Sequence, residues 1–367
     1  MVKILIGELL MENLFDAPEW RPSENYRNFD DSNLKKAKKS FSGFGISLFA
    51  FMIISYAAVF LIDLLFNLIF PLIFGEGAGE ILKSPIYSML VSTLPMYLVG
   101  FPILYILVRK MPSRKREKKK LPSLELFYTF LVAEAFMMVG SLLGESVSAT
   151  ISALLGIDVS NATADLIESA PIWLIFILVV IAAPIIEELI FRKLLIDKLS
   201  KFGDTVAIIT SGVAFGLFHG NFYQFFYAAF LGILLAYLYS KSGKITYPIV
   251  FHMIINFIGS VLVIPLLKYQ DILIEGTNPE SGAEIKEFIV AAVMMGSYAI
   301  FQYAMVIAGV VIFFNALKYK RITYAKSAEI SIPKGKSFSA VVMNVGAILF
   351  LAFSFVNFLL NILAGAI

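Results

Sequence analysis

The sequence predicts an all-α integral membrane protein, a polytopic helical bundle of about nine transmembrane helices. Three observations carry that prediction. Of the 367 residues, 59% are apolar and mean hydropathy is +0.83, against roughly 45–50% apolar in a soluble domain. Nearly uncharged stretches of about 20 residues, the length that spans a bilayer, recur along the chain. Lys and Arg gather in alternate connections between them, as the positive-inside rule requires. The chain has no cysteine, which excludes disulfides, thiolate metal sites, cysteine nucleophiles, and prenylation or palmitoylation of the chain itself.

Taken in order, residues 1–42 read as a polar cytoplasmic N-terminal arm, with Lys35, Lys36, Lys38 and Lys39 at the membrane edge. Its first apolar patch is broken by Glu8 and Glu12 and does not have the pattern of a cleavable signal. A helical core over 43–316 follows, with spans expected at 43–74, 86–108, 124–155, 171–191, 205–220, 222–240, 245–266 and 288–316. The fifth and sixth spans are short, and Gly220–Asn221 is their only connection, so a tight helical hairpin is expected there. Residues 317–336 form a basic cytoplasmic loop, and 337–367 supply an additional C-terminal transmembrane helix, its span at 337–366.

With a cytoplasmic N-terminus, the inside segments are the arm, 109–123, 192–204, 241–244 and 317–336. Of the 30 Lys and Arg, only Lys83, Lys268 and Lys286 then fall outside. The outside loop 156–170 carries no base and three acids, Asp158, Asp165 and Glu168. One span more or fewer would scramble this asymmetry. The stretch from Arg109 to Lys120, eight bases and one acid, is read as a topology signal with affinity for anionic lipid. No nucleic-acid partner is expected.

The chemistry lies in the spans. Both histidines of the chain, His219 and His252, fall inside apolar stretches, where ionisable groups cost roughly 2.5–3.5 kcal/mol each even on a lenient scale. The fourth span carries EELIFR. Glu188 and Arg192 are four apart and share a helix face, so they can pair. Glu187 points elsewhere and has no local cation, which suits a carboxyl for general acid–base work. Pro184, three residues earlier, is placed to kink the helix and free a carbonyl. Phe215 and His219 lie one turn apart, as do His252 and Asn256. The bland alternative for a lone intramembrane His is a hydrogen-bonded packing residue. For Asn67, Asn344, Asn357 and Asn361 it is an amide tie between helices. Asp63 and Glu134 also lie in spans, with no partner visible in the sequence. Measured from Lys198, Gly203 and Thr246 at 1.5 Å per residue, Glu187 sits about 16 Å deep, His219 about 24 Å, and His252 to Asn256 about 9–15 Å. That spread is too wide for one site unless a helix starts later, tilts, or has a loop that dips inward.

EExxxR, FxxxH and HxxxN, in that order and on these spans, resemble the type II CAAX prenyl protease family. The wider group is the CPBP, or bacterial abortive-infection, intramembrane proteases. The resemblance covers about 170–260, and all three motifs are intact. It implies an eight-helix core, with the arm and last helix as additions. It implies Glu187 as a general base that polarises a water jointly with His219, and His252 and Asn256 as donors to the oxyanion. Glu188 and Arg192 would support them, with Phe215 beside His219. Two cofactor readings stay open: a water activated by Glu and His alone, or a divalent metal such as Zn held by Glu187, His219 and His252.

The activity implied is endopeptidase cleavage of a membrane-embedded or lipidated peptide, in a multi-pass protein of a bacterial plasma membrane. Family members of the eukaryotic kind remove three residues after a prenylated Cys, and bacterial ones are linked to peptide maturation, immunity or regulation. The rival readings are a catalytically silent scaffold that regulates an envelope enzyme, and a proton-coupled transporter. A scaffold need not keep the Glu/His/His/Asn set. A transporter of that kind is expected to show inverted-repeat symmetry, which the sequence lacks.

Overall fold

The computed structural model describes residues 24–159, 161–275, 282–319, 321–322 and 328–364. Residues 1–23 of the expected arm, 320 and 323–327 of the basic loop, and the last residues of the final span lie outside this set. Every regular element among the described residues is a helix. Apolar helical stretches, some built from several consecutive elements, overlap the expected spans: α1 Glu24–Phe74, α2 Pro85–Val108, α3 Ser123–Leu155, α4 Ile172–Phe202, α5 Asp204–Phe218, α6 Phe222–Ser242, α7 Thr246–Leu262, α8 Gly282–Lys318 and α9 Val345–Ala364. Seven are long and apolar enough to cross a membrane, while α5 and α7 are shorter. Many Leu, Ile, Val and Phe side chains on α1, α3, α8 and α9 face outward, the surface that lipid would cover.

The arm and the first span are one helix. α1 runs unbroken through residue 42 because the end of the arm carries its own apolar face, with Ala37 and Phe41 buried. Phe41 meets Phe202 at 5.8 Å between ring centroids. The expected hairpin of α5 and α6 is present, turning through Gly220 at φ +68°, a left-handed conformation that glycine takes at no steric cost. α9 packs along α1, where a Cβ on Gly346 would fall onto the Ser42 carbonyl.

Four of the five segments expected inside meet at one end of the bundle. Arg114 N donates to Asp197 O, Lys119 N to Ser242 O, and Glu329 N to Lys201 O. The basic loop is more than a topology signal. Arg116 pairs with the buried Asp204 and donates to Ser240 O, and Arg114 reaches Asp204 and Glu329 at 3.5 Å each. Asp197 accepts from Lys193 and Tyr239. Lys115, Lys118, Lys119 and Lys120 remain exposed. At the opposite end the 156–170 connection meets the start of α6, where Tyr223 donates to Val159 O.

Two costly acids are also placed. Asp63 accepts from Tyr87 at 2.7 Å, a partner 24 residues away that spacing alone could not find. Glu134 is buried on α3 and makes no hydrogen bond or ion pair among the described residues. Asn67 donates to a carbonyl of its own helix, while Asn344 donates to Ala340 O and Val341 O of the short helix Ser337–Val341 and accepts from Ala347 N at the start of α9, so its amide ties those two helices together.

Candidate functional site

α4 departs from α-helical winding on both sides of the acid pair, with π turns at Phe176–Ala182 and Leu189–Ile196. Pro184 explains the carbonyl left free between them. Ala183 N–H donates five residues back, to Leu178 O, so Val179 O loses its α-helical donor. The donor it would take in the wider register is residue 184, a proline with no N–H. The side chain of Asn256 on α7 fills the gap, donating from Nδ2 to Val179 O at 2.8 Å. The expected free carbonyl is therefore present, and its consequence is to fix one of the site residues. The second hydrogen on Nδ2 remains for another acceptor.

Glu188 and Arg192 pair as their spacing requires, with Nε 2.9 Å from Oε2 and both side chains fully buried. The Arg192 guanidinium lies 4.6 Å from the ring centroid of Phe215, so its Nη groups, which have no hydrogen-bond acceptor among the described residues, rest on an aromatic face. Glu188 Oε1 is 2.9 Å from His252 Nδ1. One carboxylate therefore bridges an arginine on its own helix and an imidazole on α7. The far side of the same ring faces Glu187, with Nε2 3.7 Å from Oε2. Adjacent acids on α4 thus straddle one histidine.

His219 caps α5, and its Nδ1 is 2.8 Å from Phe215 O. A carbonyl only accepts, so Nδ1 carries the hydrogen and Nε2 of the neutral ring is an acceptor. Phe215 stands between the two imidazoles, edge-on, at 4.9 Å from the His219 ring and 5.6 Å from the His252 ring. Glu187, His219, His252, Asn256 and Phe215 all line one cavity of about 660 Å³. Glu188 and Arg192 lie behind it. Tyr227, Gln224, Ser92 and Thr93 also line the cavity. No motif in the sequence marked them, and their polar side chains stand among apolar neighbours without a distinctive spacing.

The depth mismatch disappears in the fold. α4 continues past Lys198, which is buried and donates to Met111 O, and turns into α5 at Gly203. Glu187 and His219 each stand sixteen residues from that glycine, about 24 Å along either helix. The turn before α7 lies beneath residues 116–119, with Ser242 fully buried, so Thr246 does not mark a membrane edge.

A metal held by Glu187, His219 and His252 is not supported. Among the described residues no three His, Cys, Asp or Glu side chains are grouped closely enough to hold an ion.

Residues 169–258 match the family model described as type II CAAX prenyl endopeptidase Rce1-like, the segment that holds all three motifs. Over 232 residues the chain is 24% identical to the "Putative membrane peptidase YdiL" of Bacillus subtilis (strain 168), covering 61% of this chain and 91% of that protein. No solved structure matches.

Proposed function

We propose how this chain, whose core is that of a type II CAAX endopeptidase-like membrane peptidase, cuts a membrane-associated peptide. Glu187 takes a proton from a water that also donates to Nε2 of His219, and the resulting hydroxide attacks the scissile carbonyl. The carbonyl oxygen becomes an oxyanion, stabilised by His252 and by the remaining hydrogen of Asn256 Nδ2. The proton held by Glu187 then passes to the departing amine as the carbon–nitrogen bond breaks. The observation that carries this reading is the single cavity lined by Glu187, two imidazoles and an amide from α4, α5 and α7.

The oxyanion role requires His252 to act as an imidazolium. Its Nδ1–H points to Glu188, so Nε2 can donate only if the ring is an imidazolium. Glu187, Glu188, Arg192 and His252 then sum to zero charge, the state that burial favours. Glu188 orients the ring and balances it.

The basic end of the bundle is assigned to the cytoplasmic side of a bacterial plasma membrane, with the exposed lysines 115 and 118–120 against anionic headgroups. The test is cleavage by Glu187→Gln and His219→Ala proteins, read by mass spectrometry on lipidated and unlipidated membrane peptides. Both substitutions abolish product if the reading holds. Full function in both variants would make the chain a scaffold.

A further inference from the structure

We infer that the substrate reaches the active site from the face opposite the basic loops, through a polar vestibule roofed by the short helix Ala162–Ser169. This deepens the peptidase reading and rests on it.

The catalytic cavity is not placed midway between the two ends. From α6 and α7 it takes Gln224, Tyr227, Asn256 and Ser260, residues nearer the ends remote from Ser242 and Thr246. From the far connection it takes Thr163, Leu166 and Ile167. A second cavity of about 280 Å³ adjoins it and shares Ser141, Thr163, Gln224, Tyr227 and Ser260 with it. The second cavity continues outward to Glu145, Asn161 and Glu168, and both acids are exposed. A trail of hydroxyls and amides therefore leads from the outer rim to Glu187 and His219. At this depth in a bilayer, polar walls are expected only where they line a wet passage or meet protein.

The opposite route is filled. Between the catalytic residues and the basic end lie Phe191, Leu195, Ile196, Leu199 and Tyr239, all buried. Beneath them Arg116, Asp197 and Asp204 close the floor with ion pairs. Among the described residues no Lys or Arg lines either cavity. The passage therefore admits an extended peptide segment presented from the far side, and its rim of Glu145 and Glu168 disfavours a segment with anionic flanks.

The chain has no native cysteine, so single cysteines report accessibility directly. Ser141→Cys and Thr163→Cys probe the junction, Glu168→Cys the rim and Lys118→Cys the basic face, each in the full chain expressed in intact bacterial cells. A membrane-impermeant maleimide is added before and after permeabilisation. The expected result is labelling of the junction and rim cysteines in intact cells and of Lys118→Cys only afterwards, with loss of cleavage once Ser141→Cys is modified. Junction cysteines that label only after permeabilisation, or that stay unlabelled while the rim reacts, overturn the route. Labelling does not depend on catalysis, so an inactive protein with the expected pattern would count against the peptidase reading alone.

Discussion

Arg192→Met removes the only arginine beside Glu188 and leaves a fully buried carboxylate with one imidazole for company. Breaking a buried pair from one side costs about 3–5 kcal/mol. At about 2.1 cal/mol/K per residue over 367 residues, that loss lowers the thermal midpoint by roughly 4–7 °C if the chain unfolds as a unit. The second half of the experiment is Glu188→Leu combined with Arg192→Met. A hydrophobic replacement of both partners is often neutral or stabilising, so the double variant should regain most of the lost midpoint. It should not regain cleavage, because His252 Nδ1 then has no acceptor and the ring is neither oriented nor charged. The assay is a pair of readouts on the same purified proteins, thermal unfolding in detergent and product formation from a membrane peptide. A double variant that cleaves like the parent would refute the assignment of Glu188 to His252. A single variant with an unchanged midpoint would refute the burial of the pair.

Three further outcomes follow from the packing. Asn256→Ala removes an oxyanion donor, a loss of about 10²–10³-fold in kcat. It also strands Val179 O, so kcat should fall with KM little changed while the thermal midpoint drops slightly. Gly140→Val places a Cβ 2.4 Å from the Tyr227 Cα of α6, and overpacking of this kind costs about 1–3 kcal/mol. Since Tyr227 lines the cavity, stability and cleavage should decline together in unfolding and product assays. Arg116→Ala withdraws the closest cation from Asp204, leaving Arg114 at 3.5 Å. The loop 109–121 should then become sensitive to limited proteolysis in opened membranes, with cleavage of substrate less affected.

Much of the fold was legible because it is written locally. Hydrophobic length and the alternation of charge depend only on neighbours in sequence, so the helices, the hairpin at Gly220–Asn221 and the common face of the basic segments could all be read in advance. The Glu188–Arg192 pair belongs to the same class, being four residues apart. Tertiary choice was not legible. Asp63 and Tyr87, or His252 and Glu188, are tied across 24 and 64 residues with no periodic signal between them. The misjudged depths have a sharper cause. Lys198 was taken for a membrane edge because lysines usually mark one, yet here it is buried against the Met111 carbonyl, and the helix runs on to Gly203. The basic loop misled in the same way. Its charge grouped it with the other basic segments, but the inward turn of Arg114 and Arg116 depends on Asp197 and Asp204, acids that look like ordinary loop residues until the loop folds over them.

The adjacency of the two acids acquires a reason that spacing alone did not provide. Successive helical positions diverge by about 100°, which looks unsuited to a shared task. A flat imidazole inserted between them changes that, since its two nitrogens also point in divergent directions. Glu188 meets Nδ1 and Glu187 faces Nε2, so one histidine fits the angular gap between neighbours. A pair spaced i, i+4 would present both carboxylates to the same side and force two like charges together in a dry interior. Adjacent acids instead leave one facing the cavity, while Arg192 holds the other behind it.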